Sequence, residues 1–160
     1  MNEFQLREIL EQVKDPEVPV LSVLDLGVIR DFSYHDGVVD VVITPTYSGC
    51  PAMKVIEDDI NQVFKENGIS KLNIKTVLSP AWTTDWITEK GKKQLKEYGI
   101  APPEKSSVDK TSIMGDAKYI SCPQCNSANT EMISQFGSTA CKALYKCNEC
   151  LEPFDYFKCL

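Results

Sequence analysis

Histidine is nearly absent from this chain: His35 is the only one in 160 residues. A mononuclear, histidine-rich catalytic site is therefore excluded, and so are the paired Glu-x-x-His motifs of a di-iron carboxylate bundle. His35 precedes Asp36-Gly37, so it reads as a solvated turn residue. A Gly-x-Gly-x-x-Gly stretch is also missing, which excludes a flavin or dinucleotide fingerprint. No apolar run approaches the roughly 20 residues that span a bilayer. The opening Met1-Asn2-Glu3-Phe4-Gln5 is polar and acidic, unlike a secretory signal. Basic excess is lacking too, with 17 Lys and Arg against 23 Asp and Glu, a net charge of −6. Phosphate contacts need a basic face, so nucleic acid is not an expected partner. The expectation is a cytoplasmic globular protein that binds neither membrane nor nucleic acid.

Cysteine, by contrast, is plentiful. Seven thiols in a cytosolic chain read as ligands and reactive groups rather than as a disulfide frame. Four of them form two knuckles, Cys122-Pro-Gln-Cys125 and Cys147-Asn-Glu-Cys150, separated by 21 residues. Each knuckle turns tightly enough for both sulfurs to reach one ion, and a short β-ribbon between them can bring the pairs together. The pattern predicts a closed structural site, with zinc as the expected metal. An iron–sulfur cluster uses the same ligands, so spacing leaves that alternative open, as it does two unrelated pairs of buried or redox thiols.

The remaining segments predict an α+β fold. Asn2 and Gln5 suit a capping box ahead of a helix with Leu6, Ile9, Leu10 and Val13 on one face. Asp15-Pro16-Glu17-Val18-Pro19 must be a turn. Strands over Val28–Tyr34 and Val38–Thr44 flank Asp36-Gly37. A helix over Ala52–Asn67 carries Met53, Ile56, Ile60, Val63 and Phe64, and a third strand covers Ile69–Leu78. A Lys-rich helix follows over Thr88–Tyr98. Packed as two layers on an antiparallel-rich sheet, these elements form a domain over residues 1–99. Residues 100–118 read as a linker, and residues 119–160 as a zinc-ribbon β module.

Cys50 lies in Thr46-Tyr47-Ser48-Gly49-Cys50-Pro51, between a strand and a helix. With Pro51 at the first helical position, Cys50 becomes the cap. The helix dipole and free amides there favour a thiolate, Gly49 leaves the sulfur accessible, and Thr46 and Ser48 offer hydroxyl donors. The alternative is a buried cysteine that merely packs. No histidine stands near to act as base, which argues against a papain-like nucleophile. Asp15 and Glu17 read as turn residues, unless the first loop folds over Cys50. Asp25 and Gly27 also read as turn residues, and Trp82 and Trp86 as core or helix-edge aromatics.

Three segments, Asp15-Pro16-Glu17, Asp25-Leu26-Gly27-Val28-Ile29 and Thr46 to Pro51, resemble in letters, order and spacing the SufT-like iron–sulfur assembly factors and their eukaryotic cytosolic counterparts. With Phe136 to Cys147 and Pro153 to Cys159 added, nearly the whole chain resembles the PaaD family, small accessory proteins of phenylacetyl-CoA epoxidase systems. That resemblance implies an assembly-factor domain whose Cys50, with Asp15, Glu17 and Thr46 nearby, contacts a labile iron–sulfur cluster or a client's metal centre. It implies service to a multicomponent monooxygenase of aerobic phenylacetate catabolism, with oxygenase and reductase subunits as partners, and not catalysis by this chain. A zinc-stabilised scaffold bridging oxygenase and reductase is the competing expectation, a thiol catalyst is a third, and a homodimer remains open. Cys141 and Cys159 are either packed hydrophobes or, with Cys50, members of a second metal site.

Overall fold

Asn2 begins the first helix, α1 (Glu3–Glu11), through a reciprocal capping box with Gln5. The computed structural model describes residues 1–103 and 120–158. Tyr119, Cys159 and residues 104–118 of the expected linker lie outside the described residues. Contacts divide the chain into two compact units, Met1–Trp82 with Trp86–Gly91, and Thr83–Asp85 with Lys92–Leu160.

In the first unit, α1 buries Leu6, Ile9 and Leu10. β1 (Ile29–His35) and β2 (Val38–Ile43) pair antiparallel around Asp36-Gly37. Both turn residues have positive φ, 49° and 83°, the geometry of a tight hairpin. α2 (Ala52–Glu66) then buries Ala52, Ile56, Ile60 and Phe64, with Met53 and Val63 half-buried on the flanks of that stripe. β3 (Leu72–Thr76) pairs with β2 in parallel, giving the order β1-β2-β3. The sheet is mixed where an antiparallel-rich one was expected. The helical crossover returns the chain to its starting end, so the next strand runs in the same direction. Val39, Val41 and Ile43 are buried on one face of β2.

Asp25 is more than a turn residue. It is buried, and its carboxylate accepts hydrogen bonds from Ser22 Oγ at 2.9 Å and Thr88 Oγ1 at 2.7 Å. Lys90 Nζ lies 3.2 Å away and also pairs with Glu11. Thr88 Oγ1 in turn accepts from Gly91 N, so the carboxylate anchors the start of α3 (Glu89–Tyr98). A short 3₁₀ turn, Thr84–Trp86, precedes that helix. Trp82 is a core aromatic whose indole donates to Leu26 O at 3.0 Å. Gly27 has φ +79°, and a β-carbon there would lie 2.6 Å from Trp86 O. Trp86 is half-buried beneath the Arg30 guanidinium, 3.5 Å from its ring centroid.

The second unit holds a four-stranded sheet in the order β4-β7-β6-β5. Its strands are β4 (Ile100–Ala101), β5 (Thr130–Ser134), β6 (Lys142–Cys147) and β7 (Pro153–Phe157). Ile100 and Ala101, read from sequence as linker, pair in parallel with Asp155 and Tyr156. Tyr145, Phe154, Tyr156, Ile120, Ala143 and Ala101 pack with Cys122 and Cys147 into one small core. Among the described residues no helix is long and apolar enough to cross a membrane.

Two substitutions test the first unit. Gly27→Ala should cost about 1–3 kcal/mol through its left-handed φ and the collision with Trp86, measured by urea denaturation. Burial tends to raise the Asp25 pKa, but hydrogen bonds from Thr88, Ser22 and Lys90, with the Lys90 charge, outweigh it and hold the carboxyl below its usual range. The stability this adds is complete above the unfolded value near pH 4 and is lost as pH falls through the lower folded value. Asp25→Asn should therefore destabilise the protein by about 1–3 kcal/mol at pH 7. It should also flatten the acid limb of a Tm-against-pH curve.

Candidate metal centre and thiol site

The two knuckles share a backbone plan. Cys122 N donates to Ser127 O at 2.9 Å, and Asn126 N closes back on Cys122 O at 2.9 Å. In the second knuckle Cys147 N donates to Glu152 O at 3.0 Å. The residue after the last cysteine of each knuckle, Asn126 or Leu151, has a left-handed φ of 61° or 64°. β6 delivers Cys147 from its last position, opposite Thr130 at the start of β5.

These turns bring all four sulfurs within 4.8 Å of one another, with Cys122 and Cys150 at 3.7 Å and Cys125 and Cys147 at 3.5 Å. A disulfide needs about 2.05 Å, so these are separate thiols. Four ligands about 2.3 Å from one ion in tetrahedral array stand about 3.8 Å apart, close to the spacing here. A cluster would need several irons and bridging sulfides inside the same ring of sulfurs. The spacing suits a single ion.

Charge leads to the same donor set. Cys147 is held down to about 7, chiefly by the backbone amide of Cys150, with help from that of Glu149. Cys150 receives the amide of Glu152, yet burial and the crowding sulfurs of Cys122, Cys147 and Cys125 push it up to about 12. The backbone amide of Ser127 favours the Cys125 thiolate, but partial loss of hydration among the crowded sulfurs and the neighbouring Cys147 and Cys122 raise its pKa. Four thiolates cannot coexist here unless a cation sits among them, and a divalent ion supplies that charge. Among the described residues this is the one grouping of three or more Cys, His, Asp or Glu suited to a metal.

Cys50 sits differently from the expectation. α2 begins at Ala52, and Pro51, with φ −67° and ψ −23°, occupies the cap position without a side-chain cap bond. Cys50 is one residue further out, its carbonyl accepting from Met53 N at 3.3 Å and its amide donating to Tyr47 O at 3.2 Å. This turn folds the residue inward: Cys50 is 8% exposed, against the accessible sulfur expected beside Gly49. Of the two candidate hydroxyls, Thr46 reaches the sulfur, Oγ1 to Sγ at 3.9 Å, while Ser48 is exposed. Asp15 Oδ1 accepts from Glu17 N at 2.9 Å and Val18 N at 2.7 Å, so the carboxylate builds its own turn. Glu17 is half-buried. Cys141 is buried in the ribbon, with Thr139 Oγ1 at 3.2 Å from its sulfur.

One residue escaped the sequence reading. Thr44, at the end of β2, is 1% exposed, and its hydroxyl has no hydrogen-bond partner among the described residues. A buried hydroxyl left unpaired is uncommon. The signal was a Thr closing an aliphatic run two positions before Thr46. Replacing Cys122 or Cys150 by Ser should weaken metal binding more than about 100-fold and melt the β5–β7 amide pattern in an NMR spectrum, leaving α1 to β3 unchanged.

Comparison with known proteins falls into the same two parts. Residues 3–67 match the model of an iron–sulfur cluster assembly protein family, and residues 106–158 match the PaaD zinc beta ribbon domain. An Escherichia coli K12 protein, provisionally named as one of the subunits of 1,2-phenylacetyl-CoA epoxidase, is 45% identical over 95% of this chain and 90% of its own length. A Porphyromonas gingivalis Fe-S protein maturation auxiliary factor is 35% identical over 59% of this chain and 95% of its own. A solved DUF59 domain from Bacillus anthracis covers 58% of this chain and 90% of its own, with a TM-score of 0.55 at 26% identity.

Proposed function

The chain belongs to the PaaD family, and from that premise we propose that it is a maturation factor for a phenylacetyl-CoA epoxidase, not a catalyst in its own right. It would bind an iron–sulfur unit or iron as cargo and pass it to the oxygenase or reductase subunit, in the cytoplasm. The observation that carries this reading is the Thr46–Cys50 pair at the entry to α2, within the stretch that matches the assembly family. Cys50 is the proposed cargo ligand. Thr46 would donate to its thiolate, and Asp15 and Glu17 are assigned to the same neighbourhood. The ribbon holds zinc through Cys122, Cys125, Cys147 and Cys150, and that zinc is structural. The borderline-soft Zn²⁺ ion suits an all-thiolate set and closes it without an open position. A unit with so small a core draws much of its folding free energy from such an ion.

Burial of Cys50 favours a second reading, in which the chain is a zinc-stabilised scaffold between oxygenase and reductase and carries no cargo. Anaerobic purification of wild type and Cys50→Ala, each with metal and sulfide analysis, separates the two. Maturation predicts one zinc in both proteins, with iron and sulfide in wild type that vanish in the variant. It also predicts clients poor in metal when Cys50→Ala replaces the native chain. Equal zinc, no iron in either protein after reconstitution and normal clients would leave the scaffold.

A further inference from the structure

The loop that carries Cys50 opens at Thr44, directly after β2. The Thr44 amide donates to Val28 O at 2.9 Å, which pins its backbone beside the start of β1. Its hydroxyl is put to no such use: the residue is 1% exposed and the oxygen has no partner among the described residues. Holding a hydroxyl dry and unpaired costs stability, and a valine of the same shape carries no such cost. The fold therefore gains nothing from an oxygen at this position. Among the described residues one other buried hydroxyl is in the same condition, that of Thr84 in the 3₁₀ turn. Thr84 has no thiol in its own loop, since no cysteine occurs between Cys50 and Cys122.

Thr44 precedes Pro45, whose ring keeps the residue before it extended. Side chains two apart on an extended segment share a side. Thr46 is the next residue on the side of Thr44, and its Oγ1 lies 3.9 Å from Cys50 Sγ. A thiol and two hydroxyls thus follow one another along one side of the loop. The residues beside them in the chain, Ile43, Pro45 and Ala52, are buried, as is Val28 across the ladder. Towards solvent the loop presents Ser48 and Gly49, both exposed, and a β-carbon on Gly49 would meet nothing within 4 Å.

We infer that Thr44 is a second hydroxyl donor of the cargo site, and that the group it meets is the sulfide of an iron–sulfur unit. This inference rests on the maturation reading, with Cys50 as cargo ligand, and narrows the cargo from iron in general to iron with sulfide. In an apolar setting a hydroxyl gains most by donating to an anion. Iron alone brings no anion to accept that bond, whereas sulfide does. The cargo enters where the turn at Ser48 and Gly49 gives way, which leaves the core undisturbed. The hydroxyl that the fold leaves unpaired is then satisfied.

The test compares wild type with Thr44→Val, Thr44→Ser and Thr84→Val, each in the full chain. Before any iron is added, Thr44→Val and Thr84→Val should each unfold about 2–5 °C above wild type in a thermal scan. Each protein is then titrated anaerobically with ferrous iron plus sulfide, and separately with ferrous iron alone. Thr44→Val should bind iron with sulfide about tenfold or more weakly than wild type, while Thr44→Ser and Thr84→Val match it. Iron without sulfide should not distinguish Thr44→Val from wild type. Equal binding of iron with sulfide by wild type and Thr44→Val overturns the assignment of Thr44 and leaves Cys50 as cargo ligand. A Thr44→Val protein less stable than wild type assigns the hydroxyl to the fold and overturns it as well. A wild type that takes up neither iron nor sulfide overturns the maturation reading, and this inference with it.

Discussion

Like charges repel most strongly where water is scarce, and the second unit is organised around that fact. Its four sulfurs lie within 4.8 Å of one another, two of them fully buried. Backbone amides can stabilise one thiolate, as they do at Cys147, but each further thiolate raises the cost of the next. A single cation removes the conflict and turns it into cohesion. The core packed around it consists of a few aromatics and small side chains from short strands. With so small a core, an ion bound here would supply much of the folding free energy of this unit.

The first unit solves the reverse problem. It buries two acidic side chains, Asp15 and Asp25, and surrounds the second with donors from Ser22, Thr88 and Lys90. The bond from Thr88 spans 63 positions in sequence and ties the loop before β1 to the start of α3. Gly27 and Trp86 meet in the same region, where only a residue without a β-carbon fits. The motif Asp25-Leu26-Gly27 thus has a structural account that is complete without any ligand. That account narrows the proposed cargo site to the loop around Cys50.

Local chemistry was legible in the sequence wherever both partners stand a few residues apart. Asn2 with Gln5, Asp36 with Gly37, and the paired knuckles each carry their own geometry. Long-range facts were not legible. Periodicity marked β3 as a strand, yet its direction depends on the crossover that α2 makes. Asp25 looked like a turn residue because Thr88 and Lys90 lie more than 60 positions away. At Cys50 the error was one residue: Pro51 already has helical φ and ψ, but the hydrogen-bonded helix starts after it, which moves the cysteine out of the cap and into the interior. Ile100 and Ala101 form too short a strand for any repeat to show.

Leu151 gives the two knuckles unequal standing. Asn126 accepts a left-handed backbone readily, whereas a leucine at φ 64° sits in a conformation that costs roughly 1–2 kcal/mol. The side chain is 65% exposed and recovers little of this by packing. The strained shape is held across the turn by Cys147 N, which donates to Glu152 O at 3.0 Å, so the second knuckle is the one that a glycine after its last cysteine would relax.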